Sequence, residues 1–258
     1  MPTVKPALLG LSGIAGFVAL LEVVPRIGIV STDYLPPASR IAVALVDEAG
    51  QQRFWVALAD TARTWAIGLA IAVGAGVVAG VVIGSVPILR EFTASTVEFL
   101  RPIPSVALIP LAVLLYGTGM TATLLLVVYA SFWQVLVQVL HGVADLDPVA
   151  SDTARSYRLS TAARIRWLIW PTALPYVVTG VRLATAVALI LTITGELIIG
   201  TPGLGKEIAV AQSSGAVPAM YALIVVTGVL GVLANLATRA AERRVLAWHP
   251  SQRLEAAA

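Results

Sequence analysis

Polar residues in this chain gather in clusters, separated by long runs that contain almost none. Six such runs, at about 8–29, 65–86, 102–117, 121–140, 176–199 and 218–238, predict helices that cross a bilayer. Roughly 20 apolar residues in helical form are enough to traverse about 30 Å of hydrocarbon. The third run is short and holds Pro102, Pro104 and Pro110, which makes it the least regular of the six. The pattern therefore predicts an all-α membrane protein with six transmembrane helices, built as a single membrane domain over 1–258, without a soluble domain or a repeat of clear period.

The segments between the runs carry their own punctuation. Leu35-Pro36-Pro37-Ala38-Ser39 reads as a turn, and Ala38 to Val46 as a short helix capped by the Ser39 hydroxyl. Gly74, Gly76, Gly80 and Gly84, with Ala70, Ala72, Ala75 and Ala79, give the second run a small-residue face, of the kind that lets helix backbones approach closely in lipid. Packing within the chain is the first reading of that face, a subunit interface the second. Gly117-Thr118-Gly119-Met120 is a tight, uncharged link. After the fifth run, GTPGLGKEIAVAQSSGAVPAM leaves room for a short helix from Lys206 to Ser213, with the glycines ending one helix and starting the next.

Composition agrees with this picture and adds orientation. Mean hydropathy is +0.90 and only 12% of residues are charged, against about 25% in soluble domains. No Cys is present, which excludes disulfides and thiolate metal sites. The net charge of +3 reflects topology. With the N-terminus inside, Lys5, Arg90, Arg101, Arg155, Arg158, Arg164, Arg166, Arg182, Arg239, Arg243, Arg244 and Arg253 fall on the cytoplasmic side, leaving only Arg26, Arg40, Arg53, Arg63 and Lys206 outside. Both termini are then cytoplasmic. A nucleic-acid reading would need a basic soluble domain. The first run has no basic leader beyond Lys5 and contains Glu22, so an uncleaved span is expected; Glu22 and Arg26, one turn apart, form a candidate pair at its outer end. The closing Glu-Ala-Ala-Ala carries no assigned role.

Few residues offer chemistry. Glu196 is the one carboxylate well inside an apolar run, and an ionisable group there is a functional candidate because burying it is costly. Thr192 shares its helical face. The two are candidates for lining a substrate pathway, against a structural alternative in which the carboxyl bonds a neighbouring helix end. His141 borders the fourth run, and with two His and no Cys a metal site is not expected. Gly200 through Lys206 imitates a phosphate-binding loop. Glu207 stands where that motif needs a hydroxyl, and the segment follows a helix instead of a strand.

The most informative polar segment is 145–171. Asp147-Pro148 is a helix start, with Asp capping and Pro at the first helical position. Val149 to Arg158 is expected to be a short helix. Ser160 is expected to cap a second, Thr161 to Trp170, which Pro171 and Pro175 terminate before the fifth span. Ala154, Tyr157 and Leu159 would present a contact surface with Arg155, Arg158, Arg164 and Arg166 around it; a solvated connector is the plainer alternative.

The residues by themselves leave the two open; a family resemblance tips the balance. The EAA motif of ATP-binding cassette importer permeases reads Glu-Ala-Ala, three residues, Gly, nine residues, Ile-x-Leu-Pro. Here Asp152-Thr153-Ala154 stands at its head, Arg158 at the Gly, Leu168 at the Ile and Trp170-Pro171 at the Leu-Pro. LRPIPSVALIPLAVLLYGTG, LPYVVTGVRLA and GELIIGTPGLG extend the resemblance over nearly the whole chain, to the nitrate/sulfonate/taurine branch, which includes transporters of thiamine-precursor pyrimidines. The resemblance implies a type I importer permease in the bacterial inner membrane. Asp152, Thr153, Ala154, Arg155, Tyr157, Arg158 and Leu159 would couple it to a cytoplasmic ATPase. The permease binds no cofactor of its own and does no chemistry; ATP and Mg belong to the ATPase. Two permease copies, two ATPase subunits and an extracytoplasmic solute-binding protein complete the machine, and the solute is small and anionic or sulfonate-like. An ion-coupled secondary transporter is the rival class, though it would want more intramembrane charge. Arg158 departs from the motif. A left-handed L-residue there costs about 1–2 kcal/mol, so the turn is expected to avoid positive φ, leaving Arg158 as a polar contact to the ATPase.

Overall fold

A computed structural model describes the backbone of residues 4–248 and the side chains of 8–248. Arg253 and the closing Glu-Ala-Ala-Ala lie outside the described residues. The chain is a string of helices: α1 Val4–Arg26, α2 Ala38–Ala49, α3 Gln52–Ser85, α4 Pro87–Leu100, a 3-10 turn Ser105–Leu108 running into α5 Ile109–Tyr116, and α6 Met120–Ala144. Then come α7 Pro148–Ser156, α8 Thr161–Arg164, a π-helical turn Ile165–Ile169, α9 Trp170–Ile199, α10 Leu204–Ser213 and α11 Val217–Val245. Five helical stretches are long and apolar enough to cross a membrane, and six if the α4–α5 pair is one broken span.

That pair replaces the expected straight helix at 102–117. α4 and the segment carrying α5 meet at 83°. Pro102 and Pro104 sit in the corner, where they cannot donate to a continuous helix. At the bend the Leu100 carbonyl accepts both the Ile103 N–H at 3.2 Å and the Tyr129 hydroxyl of α6 at 2.6 Å, which ties the corner to the central helix.

Helix α3 begins at Gln52, well before the expected 65. Arg53, Asp60 and Arg63 lower the hydropathy of its first turns, but the buried stripe runs on through Phe54, Ala57, Thr61, Thr64, Gly68, Ala72, Gly76 and Gly80, at spacings of three or four. Along the inner part of this stripe α3 lies parallel to α6, in register. A Cβ on Gly76, Gly80 or Gly84 would fall within 2.9 Å of a side-chain carbon of Val135, Val139 or Val143 respectively, and Gly68 meets Val127 with the same sequence offset. Glycine is required here for close approach. Packing within the chain thus accounts for three of the four glycines noted above. Gly74 faces open space.

α9 lies antiparallel on the other side of α6. Gly142 abuts Ala173 and Tyr176, Gly180 abuts Val135 and Gln138, and Gly195 abuts Thr123. α6 is therefore the central helix, with Leu126, Val127, Val135 and Val139 having no accessible surface. Two polar groups in this core are tied to backbone: Trp65 Nε1 donates to the Thr185 carbonyl at 3.1 Å and Ser131 Oγ to the Ala184 carbonyl at 3.4 Å.

The periphery is built differently. α1 packs substantially only on α2, and Leu9, Ile14, Phe17 and Leu20 are exposed. Glu22 and Arg26 do pair, at its C-terminal end. Glu22 also accepts from the Ser39 backbone N–H at 2.8 Å and from its hydroxyl at 3.0 Å. Ser39 is therefore not the cap of α2; Pro37 holds the N-cap position, and the Ser39 hydroxyl ties α2 to α1.

Candidate coupling segment and transport pathway

The segment between α6 and α9 opens as the residues dictate. Asp147 Oδ1 accepts the Val149 N–H at 2.8 Å and Pro148 takes the first helical position, so α7 starts with an aspartate cap. Arg155 and Asp152 pair across one turn at 3.6 Å. The far end is a Schellman closure: Leu159 N–H bonds the Ala154 carbonyl at 3.0 Å and Arg158 N–H the Arg155 carbonyl at 2.8 Å. This geometry requires a left-handed residue at 158.

Arg158 has φ 52°, the one positive-φ residue other than glycine among the described residues. The expectation that the turn avoids positive φ is corrected. Satisfying the carbonyls that end α7 outweighs the local strain of about 1–2 kcal/mol. Arg158→Gly removes that strain, while adding unfolded-chain freedom worth about 0.4–1 kcal/mol. The net expectation is a tighter α7 terminus, seen as amide hydrogen exchange at Leu159 slowed by up to roughly fifteenfold. Faster exchange would contradict the strain.

The contact surface is rearranged in one respect. Tyr157 is 79% exposed and Leu159 43%, but Ala154 is buried at 6%. Asp152, Thr153, Arg155 and Arg158 are exposed. Ser160 caps α8 through the Ala163 N–H at 3.3 Å, as its position predicts.

Pro171 and Pro175 do not end the second helix. It passes through the π turn into α9, with Pro171 in the first turn of α9 and Pro175 inside it. Widening the coil over Ile165–Ile169 accommodates the N–H that Pro171 lacks, and the Thr172 hydroxyl bonds the Leu168 carbonyl at 2.9 Å. The segment is thereby joined rigidly to a 30-residue helix.

Thr192 and Glu196 share one face of α9, as their spacing requires, and neither has accessible surface. The Thr192 hydroxyl closes on the Ala188 carbonyl at 2.8 Å. Glu196 Oε2 accepts from Thr61 Oγ1 of α3 at 2.9 Å and from the Gly205 N–H of α10 at 3.0 Å. Gly200, at φ 81°, ends α9 as read from the sequence, and α10 starts two residues before the expected Lys206. These contacts tie both side chains into the packing of α3, α9 and α10.

Arg182, which enters the sequence reading only through the charge balance, has a structural setting of its own. It is the single basic residue of α9 and lies 3.8 Å from Glu242 of α11. It borders a cavity of about 460 Å³ between those helices, with Thr185, Thr194, Thr227 and Asn235 among the lining groups. That volume lies within the range of small-molecule sites. A lone charge in an apolar run was the available signal.

Comparison with known proteins places this architecture. The model of the binding-protein-dependent transport system inner membrane component family matches residues 72–247. The chain belongs to that family. It is 30% identical over 253 residues to the taurine transport system permease protein TauC of Escherichia coli K12, covering 96% of this chain and 92% of the relative. It is 26% identical over 234 residues to the bicarbonate transport system permease protein CmpB of Synechocystis sp. PCC 6803, covering 86% and 82%. Among solved structures, an inward-facing MetNI methionine ABC transporter matches with TM-score 0.63 at 18% identity, over 72% of this chain and 93% of that one; this likeness concerns the fold. The chain is thus the membrane-spanning permease subunit of a binding-protein-dependent ATP-binding cassette importer of the inner membrane, a transport subunit and not an enzyme, in a family that carries no cofactor of its own.

Proposed function

We propose that two copies of this permease import a small organic anion, driven by a cytoplasmic ATPase pair that grips α7 and the α7–α8 turn. The observation that supports the reading most is the coupling segment itself. A helix capped by Asp147 and closed at Arg158 stands between the two most extensively packed helices, with Tyr157 exposed at its tip and a continuous helix behind it. Asp152, Thr153, Arg155, Tyr157, Arg158 and Leu159 form the docking edge, and Ala154 fixes its backbone. The ATPase holds ATP and Mg, and an extracytoplasmic protein delivers solute. The excess of arginine in this segment and near the C-terminus supports a cytoplasmic location for both, and hence for both termini.

A solute with an anionic group is supported by Arg182 at the α9–α11 cavity, where Glu242 would yield to an incoming acid group, and by the solutes for which TauC and CmpB are named, taurine with its sulfonate and bicarbonate. In this reading Thr192 and Glu196 act on the pathway by holding helices in place instead of lining it. The expected result is that detergent-extracted permease brings down an ATPase subunit, and that a thermal-shift screen of the cognate binding protein selects sulfonates or carboxylates over neutral solutes. A permease that purifies without an ATPase would sink the importer assembly, and selection of a neutral pyrimidine would sink the anion.

A further inference from the structure

Helix α10 is anchored by groups it does not own. Its first N–H donors have no acceptor within the helix. Leu204 N–H donates to Thr61 Oγ1 at 2.8 Å and Gly205 N–H to Glu196 Oε2 at 3.0 Å, while Thr61 Oγ1 donates to the same carboxyl oxygen at 2.9 Å. No side chain of α10 caps it. Three helices, α3, α9 and α10, therefore meet in one buried polar knot of which Glu196, Thr61 and Leu204 have no accessible surface.

The sequence around the knot is shaped to admit it. A Cβ on Gly203, which has φ 150°, would overlap the Glu196 carboxyl, and one on Gly205 would overlap the Ile193 carbonyl. Leu204 then enters an apolar cluster with Phe54, Ala57, Ile208 and Leu223. A carboxylate facing a helix N-terminus is favourable electrostatically, and dry surroundings strengthen the attraction. A short hydroxyl would cap α10 and leave no second polar atom, whereas Glu196 Oε1 is buried without a partner among the described residues. An incompletely satisfied buried carboxyl calls for a reason beyond capping.

The other end of α9 supplies that reason. α8, the π turn and α9 form one 39-residue apolar stretch, Thr161–Ile199, and α9 by itself extends about 45 Å at 1.5 Å per residue. Its near end carries the coupling segment and its far end carries Glu196. We infer that Glu196 is a positioning residue that, with Thr61, clamps the first turn of α10 to α9 and α3, so that displacement of the coupling segment arrives at the outer mouth as displacement of α10. The clamp rests on the coupling assignment of α7–α8 and extends it to the opposite end of the molecule.

Absence of cysteine makes the test direct. Ser213 is exposed at the end of α10, so Ser213→Cys in the complex with ATPase and binding protein reports on that helix through its rate of modification by a membrane-impermeant maleimide. Adding ATP and vanadate is expected to change the rate at least threefold. Glu196→Ala should abolish that change while vanadate still traps the ATPase and the ATPase still co-purifies. Glu196→Gln, whose amide oxygen can accept both bonds, should retain most of it. Thr61→Val, close in shape but without the hydroxyl, should reduce it, and decides the matter if Glu196→Ala does not insert. A vanadate response that persists in Glu196→Ala or Thr61→Val overturns the clamp, as does a Ser213→Cys rate that never responds. Loss of ATPase co-purification from unsubstituted protein would instead break the coupling assignment.

Discussion

Replacing Gly80 by leucine unseats α3 from α6 and is expected to lower the unfolding midpoint of the purified permease by roughly 6–12 °C. A Cβ at this position would lie 2.6 Å from both Cβ and Cγ1 of Val139 and 3.4 Å from the Leu136 carbonyl. Neither neighbour can yield: Val139 is stiff at χ1 and buried at 0% exposure, and the carbonyl belongs to the central helix. Overpacking typically costs about 1–3 kcal/mol, occasionally more. Leucine adds three carbons beyond the Cβ, so the upper figure applies. Each 1 kcal/mol moves the midpoint of a 150–250-residue protein by about 2–4 °C. Gly74→Leu is the control. It lies two residues before Gly76 on the same helix but has nothing within 4 Å of a built Cβ, and its midpoint should stay within about 2 °C of the parent. Equal shifts for the two variants in a detergent melt would disprove the register.

Tyr157→Asp is expected to weaken ATPase binding by roughly thirtyfold and to abolish uptake with the permease still inserted. Tyr157 is the most exposed aromatic of the coupling segment, at 79%, and it sits one residue before the left-handed turn, where the backbone holds it in place. Truncating a central aromatic anchor costs about 2 kcal/mol or more, and each 1.4 kcal/mol is tenfold in affinity. The aspartate adds an unpaired charge to a dry contact. Because α7 is held by the Asp147 cap and the Leu159–Ala154 bond, neither of which uses the Tyr157 side chain, the helix should survive the change. Normal co-purification and normal uptake in this variant would remove Tyr157 from the interface.

The class of molecule, its apolar helices and the helix starts of the 145–171 segment are legible because they depend on local chemistry. Apolar runs announce spans wherever water is absent, Asp147-Pro148 and Ser160 announce helix starts, and Gly200 announces an end, since each acts on backbone within a few residues. Errors came where a local rule met a distant partner. Ser39 was read as a cap, but Glu22 claims its hydroxyl across 17 residues. Pro171 was read as a terminator, but a π turn absorbs the missing donor. Arg158 was expected to avoid the left-handed region, but the carbonyls of α7 needed closing. Arg53, Asp60 and Arg63 masked the beginning of α3, whose apolar stripe is read by α10 and α11 and not by lipid.

By itself, then, the sequence determined an all-helical membrane permease with a basic, helix-punctuated segment ahead of its long 170–199 helix, because hydropathy, capping and proline act over a turn or two. Tertiary structure alone decided that glycines 68, 76, 80 and 84 meet valines 127, 135, 139 and 143, and that Glu196 binds Thr61 across 135 residues. Such contacts depend on the register of helices far apart in the chain. A side chain carries no local mark of the partner that folding will bring to it.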